Sequence, residues 1–101
     1  MNGIYFLKLI EFEERYRSQP LKIRIQIDGR LLRIQEFGYF GQIRKLSFIL
    51  FELKFNNGNR IYCTEKSING KAIILILGGS KNGQDKDIRK AQKVAEKIHE
   101  D

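Results

Sequence analysis

The sequence predicts an α+β fold in which helices pack on a mainly antiparallel sheet. Two observations lead to this prediction. The second half of the chain contains four short segments with the composition of β-strands, separated by turn residues. Beyond them, the last fifteen or so residues place apolar side chains at helical spacing. Because strands joined by tight turns pair antiparallel, we expect an antiparallel sheet in this half and a C-terminal helix against it.

The first twenty residues predict a strand and a short helix. Residues 4–7 are Ile-Tyr-Phe-Leu, a composition typical of a strand. Residues 11–18 are charged and compatible with a helix, with Phe12 and Tyr16 one turn apart on one face. Pro20 suits the first turn of a second helix, since its missing N–H has no intrahelical partner there.

Residues 21–37 carry two conflicting patterns. Apolar and polar residues alternate from 21 to 27, and Asp28-Gly29 follows, which is a strong local signal for a β-hairpin. The same segment places Ile23, Ile27 and Ile34 at helical spacing. In a helix, Gly29 would cost about 1 kcal/mol relative to alanine. Local pattern alone therefore favours the hairpin.

The second half predicts four strands, at residues 42–46, 49–55, 60–64 and 72–77. The turn residues Asn-Asn-Gly-Asn at 56–59 join the second strand to the third. The run from 72 to 77 is apolar throughout, as expected of a central strand that is covered on both faces. Gly78-Gly79 is predicted to end the sheet.

The final helix is predicted to begin at a cap formed by Asp85 or Asp87. Its apolar face would be formed by Ile88, Ala91, Ala95 and Ile98. The opposite face carries Arg89, Lys90, Lys93 and Lys97.

The composition indicates one globular domain over residues 1–101, in which hydrophobic residues make up 42% of the chain. A net charge of +7 favours a polyanion or an acidic protein as partner, and charge alone does not choose between them. The lone Cys63 excludes an internal disulfide, and no signal-peptide pattern opens the chain, so we expect a cytoplasmic protein. No apolar run approaches the roughly 18 residues that cross a bilayer, so no membrane contact is expected.

Several classes of active site are excluded by residue type. One histidine, His99, and one cysteine, Cys63, do not make a zinc site or a Cys-His pair. We expect His99 to interact with the C-terminus of its own helix and Cys63 to be a small buried hydrophobe. Gly-Gly-Ser-Lys at 78–81 lacks the spacing of a phosphate-binding P-loop. No metal or cofactor is predicted.

Basic residues are the remaining candidates for chemistry. Strand alternation places Lys54, Arg60 and Tyr62 on one surface of the predicted hairpin, and Lys81 follows the neighbouring strand. Three cations and an aromatic ring suit a phosphodiester and a stacked base, as in the recognition of single-stranded RNA. Ordinary solvated surface charge is the alternative, and the residue pattern alone does not decide between the two.

Such a surface is also suited to cutting RNA. The 2′-hydroxyl is a built-in nucleophile, so cations that stabilise the developing phosphorane and one group that moves a proton are sufficient. A lysine that is crowded by other cations is a candidate for that group, because neighbouring positive charge lowers its pKa.

Three separated blocks of the sequence closely resemble the addiction module killer proteins, HigB-like toxins of the RelE/ParE superfamily. The blocks are Glu-Leu-Lys-Phe-Asn-Asn-Gly-Asn-Arg-Ile-Tyr at 52–62, Ile-Ile-Leu-Ile-Leu-Gly-Gly-Ser-Lys at 73–81 and Gln-Asp-Lys-Asp-Ile-Arg-Lys-Ala at 84–91. They occur in the order and spacing of that family, and the resemblance extends over nearly the whole chain, including residues 12–21, 24–28, 40–41 and 43–46.

This resemblance implies a RelE-like fold, with an N-terminal strand and a helical pair packed on a mainly antiparallel sheet and a C-terminal helix. Residues 21–37 would then form the second helix of the pair, against the local pattern. The implied activity is ribosome-dependent cleavage of messenger RNA by a bacterial toxin. The implied partner is a cognate antitoxin, a small helix-turn-helix DNA-binding protein through which alone the toxin would reach operator DNA.

Matching the family's motifs residue by residue assigns the catalytic positions to Lys54, Arg60 and Lys81. Tyr62, Arg44 and Lys45 are predicted to contact RNA. In this mechanism Arg60 holds the scissile phosphate, Lys54 is the proton acceptor or an electrostatic stabiliser, and Lys81 supports the leaving oxygen.

Two other functions stay open. A ParE-like branch of the superfamily inhibits DNA gyrase by binding, without catalysis. The sequence also departs from the family's residues, most notably at Lys54, Asn59 and Ser80. Lys54 keeps the charge of the family's arginine and loses its bidentate geometry toward phosphate. An inactive member that only binds its antitoxin is therefore the third alternative.

Overall fold

The fold was analysed in a computed structural model, which describes residues 3–100. It is an α+β fold with three helices and five strands, as predicted. The elements in chain order are β1 (Ile4–Lys8), α1 (Ile10–Ser18), α2 (Leu21–Phe37), β2 (Ile43–Lys45), β3 (Phe51–Lys54), β4 (Asn59–Ser67), β5 (Lys71–Ser80) and α3 (Gln84–Ile98). One turn of 3₁₀-helix, Lys81–Gly83, joins β5 to α3. None of the helices within residues 3–100 has the length and apolar character needed to cross a membrane.

The strands form one mixed sheet in the order β1-β5-β4-β3-β2. Strands β2 to β5 pair antiparallel, as predicted, while β1 lies parallel to β5. Residues 72–77 of β5 are buried, because α1 and α2 cover one face of the sheet and α3 covers the other. The prediction that Gly78-Gly79 ends the sheet is wrong: β5 continues to Ser80, which pairs with Asn59.

Residues 21–37 are helical, so the hairpin favoured by local pattern is wrong and the helix implied by the family resemblance is present. Helical spacing places Ile27, Leu31 and Ile34 on one face of α2, where they pack in the core between this helix and the sheet. No close contact requires glycine at position 29, since a Cβ there would meet only the end of the Arg33 side chain, at 4.0 Å. Burial of one complete helix face outweighs the alternating pattern of the first seven residues.

The turn between β3 and β4 has the conformation that its residues predict. Gly58 has φ of +90°, which glycine adopts without steric cost. The Asn57 side chain accepts a hydrogen bond from the Asn59 N–H at 3.0 Å. The turn thereby fixes how β3 and β4 are aligned.

Helix α3 has the predicted apolar face, with Ala91 and Ala95 buried against the sheet. The predicted cap at Asp85 or Asp87 is wrong, because the N-cap residue is Gly83, which has no side chain to cap the helix. Asp87 instead lies over Gly79, where any Cβ would overlap its carboxylate. Burial raises the pKa of this carboxyl group, and Arg15 acts in the opposite direction.

Cys63 is a free, fully buried thiol, as predicted, and burial raises its pKa. The ring of His99 lies with Nε2 2.8 Å from the hydroxyl of Thr64 on β4. The partner of the ring is therefore a strand side chain. The backbone N–H of His99 donates to the Ala95 carbonyl at 3.1 Å, so the residue also caps the C-terminus of its own helix, as predicted.

Candidate functional site

Two adjacent rows of side chains cross the sheet on the face that α3 covers. In one row Lys54 on β3 pairs with Arg60 on β4, which pairs with Gly79 on β5. In the next row Glu52 on β3 pairs with Tyr62 on β4. Because directly paired residues project to the same face, these side chains share one surface, as strand alternation predicts.

Lys81 is brought to this surface by its contacts with the turn between β3 and β4. Its backbone N–H donates to the carbonyl of Gly58 at 3.0 Å. Its aliphatic chain runs beside the same glycine, 3.9 Å from where a Cβ would stand. The end of β5 and the β3–β4 turn are thereby held side by side.

The three predicted catalytic residues line one open cleft of about 360 Å³. The other lining residues are polar or uncharged: Gln42, Phe55, Asn56, Asn57 and Gly58. Lys81 is exposed, Lys54 is half-buried, and the Arg60 side chain is only 11% exposed. No carboxylate is among the residues that line this cleft, so its charge is positive and suits an anionic ligand. Within residues 3–100, no group of His, Cys, Asp or Glu side chains is arranged to hold a metal ion.

A carboxylate lies behind the cleft. Glu52 is fully buried, and its Oε1 lies 3.3 Å from Arg44 Nε and 3.6 Å from Arg60 Nε. Gln84 at the start of α3 donates to both carboxylate oxygens at 3.4 Å. Arg44, a predicted RNA contact, therefore lies on the same face as the cleft and is paired with Glu52.

Tyr62 is on the predicted face and is unable to stack on a base there, because its side chain is fully buried beneath α3. Its hydroxyl has no hydrogen-bond partner among the described residues. Burial, and then the charges of Glu52 and Asp87, raise its pKa to about 12. The structure thus places Tyr62 in the core and not on the exposed surface where the sequence predicts an RNA contact.

Lys45 is separate from the cleft. It follows Arg44 directly in β2 and pairs with Phe51 on β3, so its side chain projects to the opposite face of the sheet. Its ammonium group lies 5.3 Å from the ring centre of Phe48. Arg44 and Lys45 are therefore divided between the two faces of the sheet.

Arg30 supports the cleft from α2, a role that the sequence analysis missed. Its guanidinium donates to three carbonyls, at 3.0 Å to Phe40, at 2.6 Å to Gln42 and, very closely, to Lys54. It also lies 4.8 Å above the ring of Phe55. Burial lowers its pKa. The available signal was a charged residue inside the apolar face that Ile27, Leu31 and Ile34 define.

Comparisons with known proteins place the chain in a family and identify a shared fold. No protein-family model matches the chain. It is 37% identical over 82 residues to an uncharacterized protein of Haemophilus influenzae, across 81% of this chain and 82% of that protein. The chain belongs to the family of that protein.

The fold is similar to that of one chain in a solved complex. A chain of the RelB–RelE antitoxin–toxin complex from Methanococcus jannaschii matches with a TM-score of 0.61, over 80% of this chain and 96% of that chain. The two sequences are 12% identical, so the likeness concerns the fold. It agrees with the α+β fold that the family resemblance implies.

Proposed function

We propose that this protein is the toxin of a bacterial toxin–antitoxin module and cleaves messenger RNA on the ribosome without a metal ion. The observation that supports this most strongly is the convergence of Lys54, Arg60 and Lys81 around one cleft. The fold that the chain shares with a member of an antitoxin–toxin complex supports the same proposal.

The proposed reaction is an internal transfer at one phosphodiester. The RNA 2′-oxygen forms a bond to phosphorus while the bond from phosphorus to the 5′-oxygen breaks. The 2′-proton leaves to the side-chain nitrogen of Lys54, and Lys81 supplies a proton to the departing 5′-oxygen. Arg60 stabilises the charge that develops on the phosphorane oxygens.

The position of Arg60 agrees with this role. Its guanidinium is fixed at two points, with Nε beside Glu52 and Nη1 donating to the Asn59 carbonyl at 3.2 Å. An arginine that is held in place before the substrate binds stabilises transition-state charge at little cost in reorganisation.

The proposed partner is a cognate antitoxin, a small helix-turn-helix protein that neutralises the toxin in the cytoplasm and links it to operator DNA. The single-domain organisation over residues 1–101 and the HigB-like assignment belong to the same proposal. They are supported by the family resemblance of the three sequence blocks at 52–62, 73–81 and 84–91.

Induced expression in a bacterium tests the proposal. The unmodified chain is expected to arrest growth, and replacement of Lys54, Arg60 and Lys81 by alanine is expected to relieve the arrest. A matched control removes three charges elsewhere, from Arg89, Lys93 and Lys97 on the exposed face of α3. Arrest by the control variant and growth with the cleft variant is the predicted result.

Each alternative function gives a different outcome. Growth arrest that persists in the cleft variant contradicts the assignment of these three residues. DNA damage that depends on gyrase, with intact messenger RNA, identifies a ParE-like inhibitor. Normal growth with the unmodified chain identifies an inactive toxin that only binds its antitoxin.

A further inference from the structure

Glu52 is a fully buried carboxylate at the centre of the basic face. Removing a carboxylate from water costs several kcal/mol unless cations and hydrogen-bond donors compensate. Here Arg44 from β2, Arg60 from β4 and Gln84 from α3 provide that compensation. Glu52 therefore connects three elements that meet beside the cleft.

The two arginines share one oxygen of this carboxylate and differ in exposure. The Arg44 side chain is 48% exposed, whereas that of Arg60 is 11% exposed. Arg60 Nε is itself buried and makes no hydrogen bond within residues 3–100, where Glu52 Oε1 pairs with it at 3.6 Å. The location of Arg60 thus depends on Glu52 more than that of Arg44 does.

We propose that Glu52 is the positioning residue of the cleft, whose carboxylate holds the Arg60 guanidinium where an RNA phosphodiester binds. This rests on the proposed function for the identity of the ligand. The carboxylate is absent from the cleft lining, so it acts through Arg60 and does not touch the substrate.

The sign of one charge effect makes the proposal testable. Glu52→Gln removes a negative charge close to a site for an anion, and simple electrostatics then predicts tighter RNA binding. Positioning predicts the opposite, because an Arg60 without its partner loses the orientation that matches a phosphate. The direction of the change in affinity therefore separates the two effects.

The probe for binding is a 2′-O-methyl RNA oligonucleotide, which has no 2′-hydroxyl and is not cut. Affinity is measured by fluorescence anisotropy at several salt concentrations. We expect Glu52→Gln to weaken binding about tenfold, as loss of a charged contact to Arg60 predicts. The matched control is Glu65→Gln on β4 of the same sheet, where the carboxylate is 51% exposed and lies 4.0 Å from Lys71. Its affinity should stay within about twofold, since exposed ion pairs contribute little.

A double-mutant cycle tests whether Glu52 acts through Arg60. In a chain that already carries Arg60→Ala, the further change Glu52→Gln should cause no additional loss of affinity. Equal or tighter binding by Glu52→Gln alone, or losses that simply add in the double variant, would overturn the proposal.

A measurement on the unmodified chain covers the case in which Glu52→Gln fails to fold. The Nε–Hε NMR signal of Arg60 should be rigid and slow to exchange with water, in contrast to Arg17, whose side chain is 62% exposed. Mobility of Arg60 equal to that of Arg17 would overturn the positioning role. Failure of the unmodified chain to bind the oligonucleotide would instead count against RNA as the ligand, while the NMR signal still decides the role of Glu52.

Discussion

Arg30 illustrates how a single buried side chain supports the candidate site. It donates to the backbone carbonyls of Phe40, Gln42 and Lys54, and so joins α2 to the loop before β2 and to the end of β3. Two of these carbonyls belong to residues that line the cleft, Gln42 and Lys54. The shape of the cleft therefore depends on a residue outside its lining.

We predict that Arg30→Met lowers the free energy of unfolding by about 3 kcal/mol, because three part-buried backbone carbonyls lose a charged donor. Urea denaturation measures the change. Arg33→Met is the control, since Arg33 is an exposed arginine of the same helix and should change stability by less than about 0.5 kcal/mol. Similar losses for both variants would contradict the role given to Arg30.

Tyr62 provides a prediction for pH dependence. Its pKa is raised from the ordinary 10.0 to about 12, chiefly by burial. Below pH 10 the hydroxyl is neutral in both the folded and the unfolded chain, so through this group the pH does not change the free energy of unfolding. Between about pH 10 and 12 the unfolded chain ionises first, so the free energy of unfolding falls over that range.

Replacing this tyrosine removes the effect. Tyr62→Phe should reduce the loss of stability between pH 10 and 12. It should also gain about 1 kcal/mol at neutral pH, because the buried hydroxyl has no partner among the described residues. Urea denaturation at both ends of the range compares the two chains. An unchanged pH dependence in Tyr62→Phe would show that another group causes it.

At the scale of residues, the sequence was informative where a local rule applies and uninformative where partners are distant. Alternation in two strands and one turn predicted that Lys54 and Arg60 share a face, and their pairing confirms it. The burial of Glu52 depends on β2 and α3, which meet it only in the folded chain. Local pattern carries no information about such contacts.

Among the elements, α2 offers the clearest test of helix energetics. Gly29 lies inside this helix, away from positive φ, and a Cβ would meet only the end of the flexible Arg33 side chain, at 4.0 Å. We predict that Gly29→Ala raises the free energy of unfolding by about 0.5–1 kcal/mol, because alanine has the higher helix propensity.

The control for this prediction is a glycine at the end of the same helix. Gly38 has φ of +68° and donates its N–H to the Ile34 carbonyl at 2.8 Å. Gly38→Ala should destabilise the protein by about 1 kcal/mol, because a Cβ is strained in the left-handed region. Thermal or urea denaturation should show opposite signs for the two variants, and equal signs would contradict this description of α2.

Helix α2 also shows why an element escapes prediction from local pattern. Its first seven residues alternate as in a strand, and Asp28-Gly29 is a turn signal. The deciding interactions are the burial of Ile27, Leu31 and Ile34 against the sheet and the bond from Tyr16 to Asp28 at 2.8 Å. These are tertiary contacts, and the family resemblance was informative here because it reflects the whole fold.

At the scale of the whole molecule, the cleft exists because the sheet brings distant segments to one edge. Lys81 follows β5, and it meets Lys54 and Arg60 at the far end of the β3–β4 hairpin. The antiparallel part of this arrangement was predictable from turns and strand patterns. The parallel pairing of β1 with β5 was not predictable in this way, because it joins Ile4 to Lys71, which are far apart in the sequence.

The chemistry of the ends left on cleaved messenger RNA tests the central claim most directly. After brief induction of the chain in a bacterium, RNA ends are mapped by ligation methods that distinguish 5′-hydroxyl from 5′-phosphate termini. Attack by the RNA 2′-hydroxyl predicts new 5′-hydroxyl ends opposite 2′,3′-cyclic phosphates, present with the unmodified chain and absent with Arg60→Ala. Intact messenger RNA, or new ends that are equally abundant with Arg60→Ala, would contradict the claim that this cleft cuts RNA.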